Sequence, residues 1–409
     1  MVKKLLQIDA CLNSGSTGRI TEDLSKLAIK QGWECNIIHG SRYVNHPSVM
    51  HSYSPGSVAD EYLHYAEHIL FDNDGLASRR ATQRLVRIIK DINPDIIQIH
   101  DIHDHWLNYR ILFYYLNTLD IPIVWTQHDC WSFTGDCGHF SQLACKQWIT
   151  GCSKRCPYRE GQIMRKIINR ADKHYGLKKE LFTATKNLTL VSVSHWMEGV
   201  LRQSFLKDKH IKTILNGVDV NLFKPIVDAK GTLTKYALED VCYVVGVATA
   251  WSEKKGFKDY CRLALLMPAG VKIVLVGLNE RLLQEAAQYG IIGIPRTDNV
   301  GELVALYNSA SIVMNLSFEE TFGLTTVEGF ACGTPSIVYN ATASPELVTP
   351  ETGRIVAPGD IEGVAEAVKE LLSKEKPIEA CRKRAVDCYD KNDRYREYLE
   401  LYEELLKEV

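Results

Sequence analysis

The sequence predicts an α/β protein built from two doubly wound units, each a parallel sheet with helices on both faces. Three observations carry this. Short apolar runs recur along the chain and are continuous rather than alternating, as strands buried on both faces require. Each run leads through a polar, glycine-containing loop into a stretch with helical spacing. The pattern stops in a polar stretch from Lys224 to Asp240 and then restarts, and 409 residues are too many for one ordinary core.

Taken in order, KKLLQIDA is the first strand. NSGSTG is the loop after it, and RITEDLSKLAIKQG is a helix closed by Gly32. ECNIIHG, DIIQIH, IPIVWTQHD and LTLVSVS are further strands of the first unit. In the second unit VCYVVGVATA, VKIVLVGL, SIVMNLS, PSIVYN and GRIVAP read as strands. KDYCRLALLM, ERLLQEAAQYG, VGELVALYNSA and TTVEGFACG lie between them as helices, and DIEGVAEAVKELLSK follows the last strand. DRYREYLELYEELLKEV is a final amphipathic helix. The expected domains are 1–225 and 226–385, with 386–409 packing back on the first. Open α/β sheets bind ligands at the carboxyl ends of their strands, so two such domains facing each other make a cleft where chemistry is expected.

Composition narrows the function classes. Hydrophobic residues at 45% and charged residues at 24% describe a globular protein. A formal charge of −2 argues against a nucleic-acid partner. The apolar part of MVKKLLQIDA is far too short for a secretory segment, and no run is long and apolar enough to cross a bilayer. A cytoplasmic enzyme, in reach of the inner membrane face as a peripheral protein, is the expectation. Of 12 cysteines, seven are scattered and read as reduced thiols.

The stretch FEETFGLTTVEGFACGTPSIVYN sets Glu319, Glu320 and Glu328 around Gly323, between a strand end and a helix start. The first N–H groups of a helix lack internal partners and carry partial positive charge, which makes an anion site. Gly323 has no side chain to hold a phosphate away from the backbone, and Thr325 and Thr326 add hydroxyls. Glutamates beside a diphosphate make sense where they accept hydrogen bonds from hydroxyls on either side of it, from a ribose and from a sugar. A nucleotide diphosphate sugar meets both conditions. The plainer alternative is a helix start decorated with favourable acids.

ETFGLTTVE, with seven residues between Glu320 and Glu328, resembles the E-x7-E motif of glycosyltransferase family 4, retaining enzymes of the GT-B fold. LVALYNSASIVMNLS, SPELVTPETGRIVAPGD and ILNGVDVNLFKP resemble other blocks of that family. PDIIQIHDIHDHWLN and IPIVWTQHDCWSFTGDC are similar to a subgroup that builds bacterial surface polysaccharides. Nearly the whole chain is covered, the C-terminal half more specifically. The resemblance implies two Rossmann-like domains, acceptor-side first and nucleotide-sugar-binding second, with closure completing the site. Glu320 would hold donor sugar hydroxyls. Phe322, Gly323, Leu324 and Thr325 would present backbone donors, and Glu328 would grip the ribose diol. The donor would be a UDP- or GDP-sugar and the acceptor a glycan or lipid-linked glycan.

A departing diphosphate needs a fixed cation. GVATAWSEKKGF resembles the family's Arg-x-x-x-x-Lys-Gly element, with Lys255 as the lysine. The arginine position holds Ala250, so Lys254 or a cation from elsewhere must take that place. No metal or other cofactor is then required for catalysis. A solvated Lys-Lys pair is the plainer reading. On the N-terminal side, His128 ends a predicted strand. The resemblance sets it near donor sugar and acceptor, with Asp129 fixing its tautomer. A satisfied core histidine is the alternative. His100 and His103 are weaker candidates to line the cleft. Gly15 and Gly18 form a loop suited to phosphate or acceptor contact.

Two further features have competing readings. Cys137, Cys145, Cys152 and Cys156, in an insertion spanning 130–157 that also holds Cys130 and His139, could bind zinc through four thiolates. The spacing lacks a C-x-x-C knuckle, so disulfides or reduced thiols compete with this. In GQIMRKIINRADKHYGLKKELF, Ile163, Met164, Ile167, Ile168, Ala171 and Tyr175 share helical spacing. Arg165, Lys166, Arg170, Lys173, Lys178 and Lys179 supply a basic surface for anionic lipid or for solvent. A nucleotide-sugar epimerase or hydrolase on this fold, or a non-catalytic nucleotide-sugar binder, remains in competition with transfer. A dinucleotide oxidoreductase lacks its G-x-G-x-x-G.

Overall fold

Thirteen strands fall into two parallel sheets among the residues described by the computed structural model, namely 2–157, 168–226 and 228–408. The first sheet holds β1 (Lys4–Asp9), β2 (Glu34–His39), β3 (His51–Tyr53), β4 (Ile96–Ile99), β5 (Ile123–Gln127), β6 (Leu188–Ser192) and β7 (His210–Thr213), in the order 3-2-1-4-5-6-7. The second holds β8 (Cys242–Val247), β9 (Val271–Val276), β10 (Ile292–Ile294), β11 (Ile312–Asn315), β12 (Ser336–Tyr339) and β13 (Gly353–Val356), in the order 10-9-8-11-12-13. Every pairing is parallel, with Leu6 beside Asn36 and Ile97, and Val313 beside Val245 and Ser336. The class and architecture are those expected. The strand order reverses between β1 and β4 and between β8 and β11. Those two crevices are where doubly wound sheets bind ligands.

The chain divides into one unit of Met1–Ile214 with Tyr395–Val409 and another of Leu215–Arg394. In the first, neighbouring residues on each strand serve opposite faces. Leu6, Ile38, Ile97 and Trp125 pack into a core with Phe113 and Phe182. Leu5, Ile37, Ile96 and Val124 pack on the other face, where the terminal helix lays Tyr395, Tyr398, Leu399, Tyr402 and Leu405. Two tyrosines of that helix also reach polar atoms of the sheet. Tyr398 Oη lies 3.2 Å from Thr126 Oγ1, and Tyr402 Oη donates to Gln98 Oε1 at 2.9 Å. In the second unit Val244, Ile273, Leu275, Met314 and Tyr339 form the core of one face. There Arg382 donates to the carbonyls of Val220, Phe223 and Ala331 at 2.8, 2.8 and 2.9 Å, tying the unit's entry segment to its last helices.

Helix starts follow local chemistry. Ser57 and Asp60 form a reciprocal capping box for Val58–Phe71. Asn279, Asn299 and Asp360 accept from the N–H groups of Leu282, Glu302 and Gly363. By contrast, Gly15–Lys30 and Leu324–Ala331, which follow β1 and β11 at the crevices, have no side-chain cap. Three short strands, β3, β7 and β10, have no apolar run to announce them, because they are edge or near-edge strands of three or four residues.

Docking of the terminal helix is testable in urea. Tyr402→Phe should lower the stability of the first unit by about 1–2 kcal/mol, since the Gln98 oxygen loses its buried donor. Tyr402→Ala should cost about 3–5 kcal/mol through the added cavity. A midpoint unmoved by either would show that this helix does not support the sheet.

Candidate functional site

Glu319, Glu320 and Glu328 gather about Gly323 inside the second unit. β11 ends at Asn315, and the turn 316–323 leads into the helix Leu324–Ala331. Gly323 has φ 107°, a conformation glycine adopts without strain. A Cβ there would come within 3.0 Å of Leu347 Cδ1. The neighbouring loop after β8 runs against this turn. The Phe318 N–H donates to the Lys254 carbonyl at 2.8 Å, and Gly256, at φ 74°, passes so close that a Cβ would lie 2.2 Å from the Leu316 carbonyl oxygen. Two ion pairs therefore span the crevice. Lys254 Nζ lies 2.9 Å from Glu319, whose side chain is only 2% exposed, and Lys255 Nζ lies 2.5 Å from Glu320 Oε1. The carboxylates coexist because each has its own ammonium. Only the Lys255–Glu320 pair is open to solvent on both sides, at 34% and 17%.

Glu328 lies on the helix itself. Its Oε2 accepts from the hydroxyl of Tyr307 at 2.9 Å, and the Tyr307 carbonyl accepts in turn from Thr334 Oγ1 at 2.6 Å. Burial, with the Glu328 charge beside it, holds the Tyr307 phenol well above its ordinary range, so it stays a donor. Tyr307 is a positioning residue that sequence reading missed; a tyrosine inside an amphipathic helix carries no signal of its own. Phe322 is buried edge-on against Tyr389, with ring centroids 5.7 Å apart, so its backbone and not its ring faces outward from the turn. Leu324 and Thr325 are half-buried at the first turn of the helix, and Ala250 is exposed in the loop after β8.

In the first unit, the carboxyl ends of β1, β4 and β5 converge. His128 follows β5 and stacks on His100 with planes 18° apart, His100 Nδ1 lying 3.0 Å from His128 Nε2. His100 Nε2 is 2.8 Å from Gln7 Oε1. Gln7 Nε2 donates to the Thr21 carbonyl and to Ser25 Oγ, which leaves Gln7 Oε1 as acceptor. The protons are thereby assigned in sequence. His100 carries its hydrogen on Nε2, its Nδ1 accepts from His128 Nε2–H, and His128 Nδ1 keeps a lone pair. Burial keeps both rings neutral: it lowers His128 to about 4, and it holds His100 well below the histidine range, with His128 adding to the effect.

The expected partnership of Asp129 with His128 is corrected here. Asp129 Oδ2 lies 2.8 Å from His103 Nε2, and its Oδ1 accepts from the Trp131 N–H at 2.8 Å. His100, not Asp129, sets the His128 tautomer. His103 Nδ1 lies 3.1 Å from both Asp101 and Asp104, and these carboxylates raise it well above the usual range against its burial. It is an imidazolium. Burial raises Asp101 to about 7. Gly15 and Gly18 begin the uncapped helix after β1, next to the buried Asp9, whose carboxyl is held well up by burial and by Asp101. Asp9 was also missed, although an acid closing an apolar run is a visible signal.

The four cysteines do meet. Cys137, Cys145, Cys152 and Cys156 line one small cavity with Phe140 and Trp148, and all are thiols. Among the described residues, the groups with three or more ligand atoms within 4.8 Å of one another contain only His68, Asp72, Asp74, Asp101, His103, Asp104, His105 and Asp136. Burial instead raises Cys152 to about 11 and Cys137 to about 12.

Of the basic amphipathic stretch, Ile163, Met164, Arg165, Lys166 and Ile167 lie outside the described residues. The described helix is Ala171–Ala184, and its apolar face belongs to the unit's interior, since Ala171 and Tyr175 are buried. Lys178 is not on a basic surface as expected. Its Nζ donates to the Trp131 carbonyl at 2.8 Å and lies 3.4 Å from the centroid of that indole. No described helix is long and apolar enough to cross a membrane.

Residues 17–222 match the family described as Glycosyltransferase Family 4, and 241–374 match the Glycosyl transferases group 1 family. A putative colanic acid biosynthesis glycosyl transferase, WcaC, from Escherichia coli is 28% identical over 188 residues, 44% of this chain and 45% of that protein. A GDP-mannose-dependent α-(1-6)-phosphatidylinositol dimannoside mannosyltransferase from Mycobacterium tuberculosis is 28% identical over 184 residues, 43% and 48% of the two chains. The chain thus spans about half the length of the curated relatives it matches. Among solved structures, sucrose-phosphate synthase from Thermosynechococcus elongatus superposes with a TM-score of 0.74 at 18% identity, covering 100% of both chains. Anabaena HepE in complex with UDP-glucose gives 0.65 at 16% identity, covering 99% and 100%. These likenesses are to the GT-B fold.

The histidine stack makes stability depend on pH. An unfolded histidine titrates near ~6.5, whereas folded His128 titrates at about 4. Between these values the folded state binds fewer protons. The contribution of neutral His128 is complete above the unfolded value and is lost as pH falls toward the folded one. His128→Gln should therefore lose about 1–2 kcal/mol less stability than wild type between about pH 6.5 and 5. Urea titrations at both pH values check this, and equal losses would mean the ring is not held neutral.

Proposed function

Because the chain belongs to glycosyltransferase family 4, we propose that it is a retaining glycosyltransferase. It moves a sugar from a UDP- or GDP-sugar to a glycan or lipid-linked glycan acceptor, in the building of a surface polysaccharide. The observation that carries this reading is the pairing at the β8–β11 crevice. An uncapped helix start at Gly323, a solvent-reachable Lys255–Glu320 pair and a tyrosine-oriented Glu328 come together at this crevice of the second unit.

In this reading the diphosphate takes the first N–H groups of the helix Leu324–Ala331 and draws Lys255 Nζ from Glu320. Released from its ammonium, Glu320 accepts hydrogen bonds from hydroxyls of the donor sugar. Phe322, Gly323, Leu324 and Thr325 present backbone N–H groups to the sugar and phosphates. Glu328 accepts from the ribose diol, with Tyr307 fixing which oxygen is turned to it. Lys254 stays with buried Glu319 and adds positive potential from behind. The helix end and Lys255 meet the diphosphate charge, so transfer proceeds without a metal at the donor. The leaving phosphate oxygen takes the acceptor's proton as the new bond forms on the same face of the sugar.

In the first unit, the lone pair on His128 Nδ1 accepts a hydroxyl hydrogen from a bound sugar, and Gly15 and Gly18 let a ligand approach the helix start. A lipid-linked acceptor would bring the protein to the cytoplasmic face of the membrane as a peripheral enzyme. Relatives support both donor bases, since one relative is GDP-mannose-dependent and HepE was solved with UDP-glucose.

A thermal-shift panel of UDP, GDP and their sugars should raise the melting temperature with one nucleotide class, and Glu328→Ala should abolish the shift. Its donor KM should rise about 10- to 100-fold, the worth of a charged hydrogen bond. Lys255→Ala should lower kcat about 10²–10³-fold. Product analysis then separates the rivals. Conversion of the donor without any acceptor would make the protein an epimerase or hydrolase. Selective donor binding without turnover on any acceptor would make it a binding protein, with Ala250 marking the lost chemistry.

A further inference from the structure

A cavity of about 180 Å³ in the first unit lies outside the residues assigned to donor and acceptor above, and its wall includes His68, Asp74, His105 and Asp136. His68 comes from the helix Val58–Phe71, Asp74 from the turn after it, and His105 from the loop after β4. Their ligand atoms all lie within 4.8 Å of one another. Asp74 Oδ1 is the centre, 3.8 Å from His68 Nδ1 and 3.5 Å from His105 Nε2.

These distances are too long for hydrogen bonds, which run about 2.7–3.2 Å. They match the edges of a coordination sphere. Donors about 2.1 Å from a tetrahedral Zn²⁺ lie about 3.4 Å apart. The orientation of the carboxylate is set from outside the cluster, because Trp131 Nε1 donates to Asp74 Oδ2 at 2.9 Å and leaves Oδ1 to the imidazoles. Both ring nitrogens of His105 are shut off from solvent and make no hydrogen bond. A buried imidazole in that state is costly unless something takes its lone pair.

Charge favours a cation. Asp136 lines the same cavity as Asp74, so acidic charge is concentrated there. The Lys178 ammonium lies near both and offsets part of it. Asp72 and Asp136 also group with His68.

We propose that the first unit binds one divalent transition-metal ion, of the Zn²⁺ class, through His68 Nδ1, Asp74 Oδ1 and His105 Nε2, with Asp136 in the same cavity wall to serve as a fourth donor. Two imidazoles and a carboxylate are a borderline-soft set that selects such ions over Mg²⁺ or Ca²⁺. The ion ties the helix Val58–Phe71 and the turn after it to the loops after β4 and β5, in a cavity that His103, Asp104 and Asp129 also line. It takes no part in the donor chemistry proposed above, and its presence does not depend on that reading.

The test uses the untagged 409-residue chain, stripped with a chelator and titrated with Co²⁺ and then Zn²⁺. One equivalent of Co²⁺ should bind with visible ligand-field absorption and no thiolate-to-cobalt charge-transfer band, and Zn²⁺ should displace it. Asp74→Asn, which keeps the Trp131 hydrogen bond, and His105→Phe, which keeps the ring volume, should each weaken binding at least about 10-fold. Zn²⁺ should raise the melting temperature of wild type but of neither variant. Cys137→Ser should bind Co²⁺ as wild type does. Three results overturn the proposal: no binding at micromolar metal, binding unchanged in both His/Asp variants, or a charge-transfer band that Cys137→Ser abolishes. The last would move the metal to the thiols.

Discussion

A parallel sheet cannot be closed by hairpins. Each strand must be followed by a crossover that returns the chain to the same end, so all the carboxyl ends collect on one edge. In this protein that constraint operates twice. It explains why chemistry-bearing residues far apart in sequence stand side by side within each unit. Asp9, His100 and His128 close three adjacent strands of the first sheet. Lys255 and Glu320 follow adjacent strands of the second and come within 2.5 Å. Burial on both faces is the other side of the same constraint, and it makes Leu5 and Leu6 serve different cores.

Charge is then handled differently at the two edges. In the second unit each crowded carboxylate of the turn has a lysine from the facing loop, one pair buried and one open. An open pair can be exchanged for a ligand at modest cost, because solvent screens it, while the buried pair stays to hold the loop. In the first unit the charges are more enclosed. His103 stands among three carboxylates, and a second set of acids surrounds His68 and His105. The His100–His128 stack, hydrogen-bonded to Gln7, stays neutral because burial disfavours its protonation.

Much of this was legible in residue order. The apolar runs placed ten of the strands, and the helix start at Gly323 was visible from a strand, a glycine and two threonines. What escaped had no local signature. β3, β7 and β10 are short and partly exposed, so nothing apolar marks them. Tyr307 looks like any core tyrosine until its hydroxyl is seen on Glu328. Lys178 reads as a surface base and is instead folded over Trp131. Asp129 is next to His128 in sequence, yet adjacent residues at a strand end diverge, and it turns to His103.

The amino-acid sequence by itself determined the class of fold, the two-part organisation and the strand–turn–helix around Gly323, because these rest on periodicity and spacing, which are local properties. Tertiary structure alone decided which side chains become partners: Glu319 with Lys254, Glu320 with Lys255, His128 with His100, Asp74 with two histidines. Such pairings depend on which strands lie next to each other in a sheet, and strand order is a global choice that no window of sequence contains. The four clustered thiols show the converse. Proximity along the chain brought them to one cavity, yet among the described residues they are in no group of three or more ligand atoms within 4.8 Å of one another.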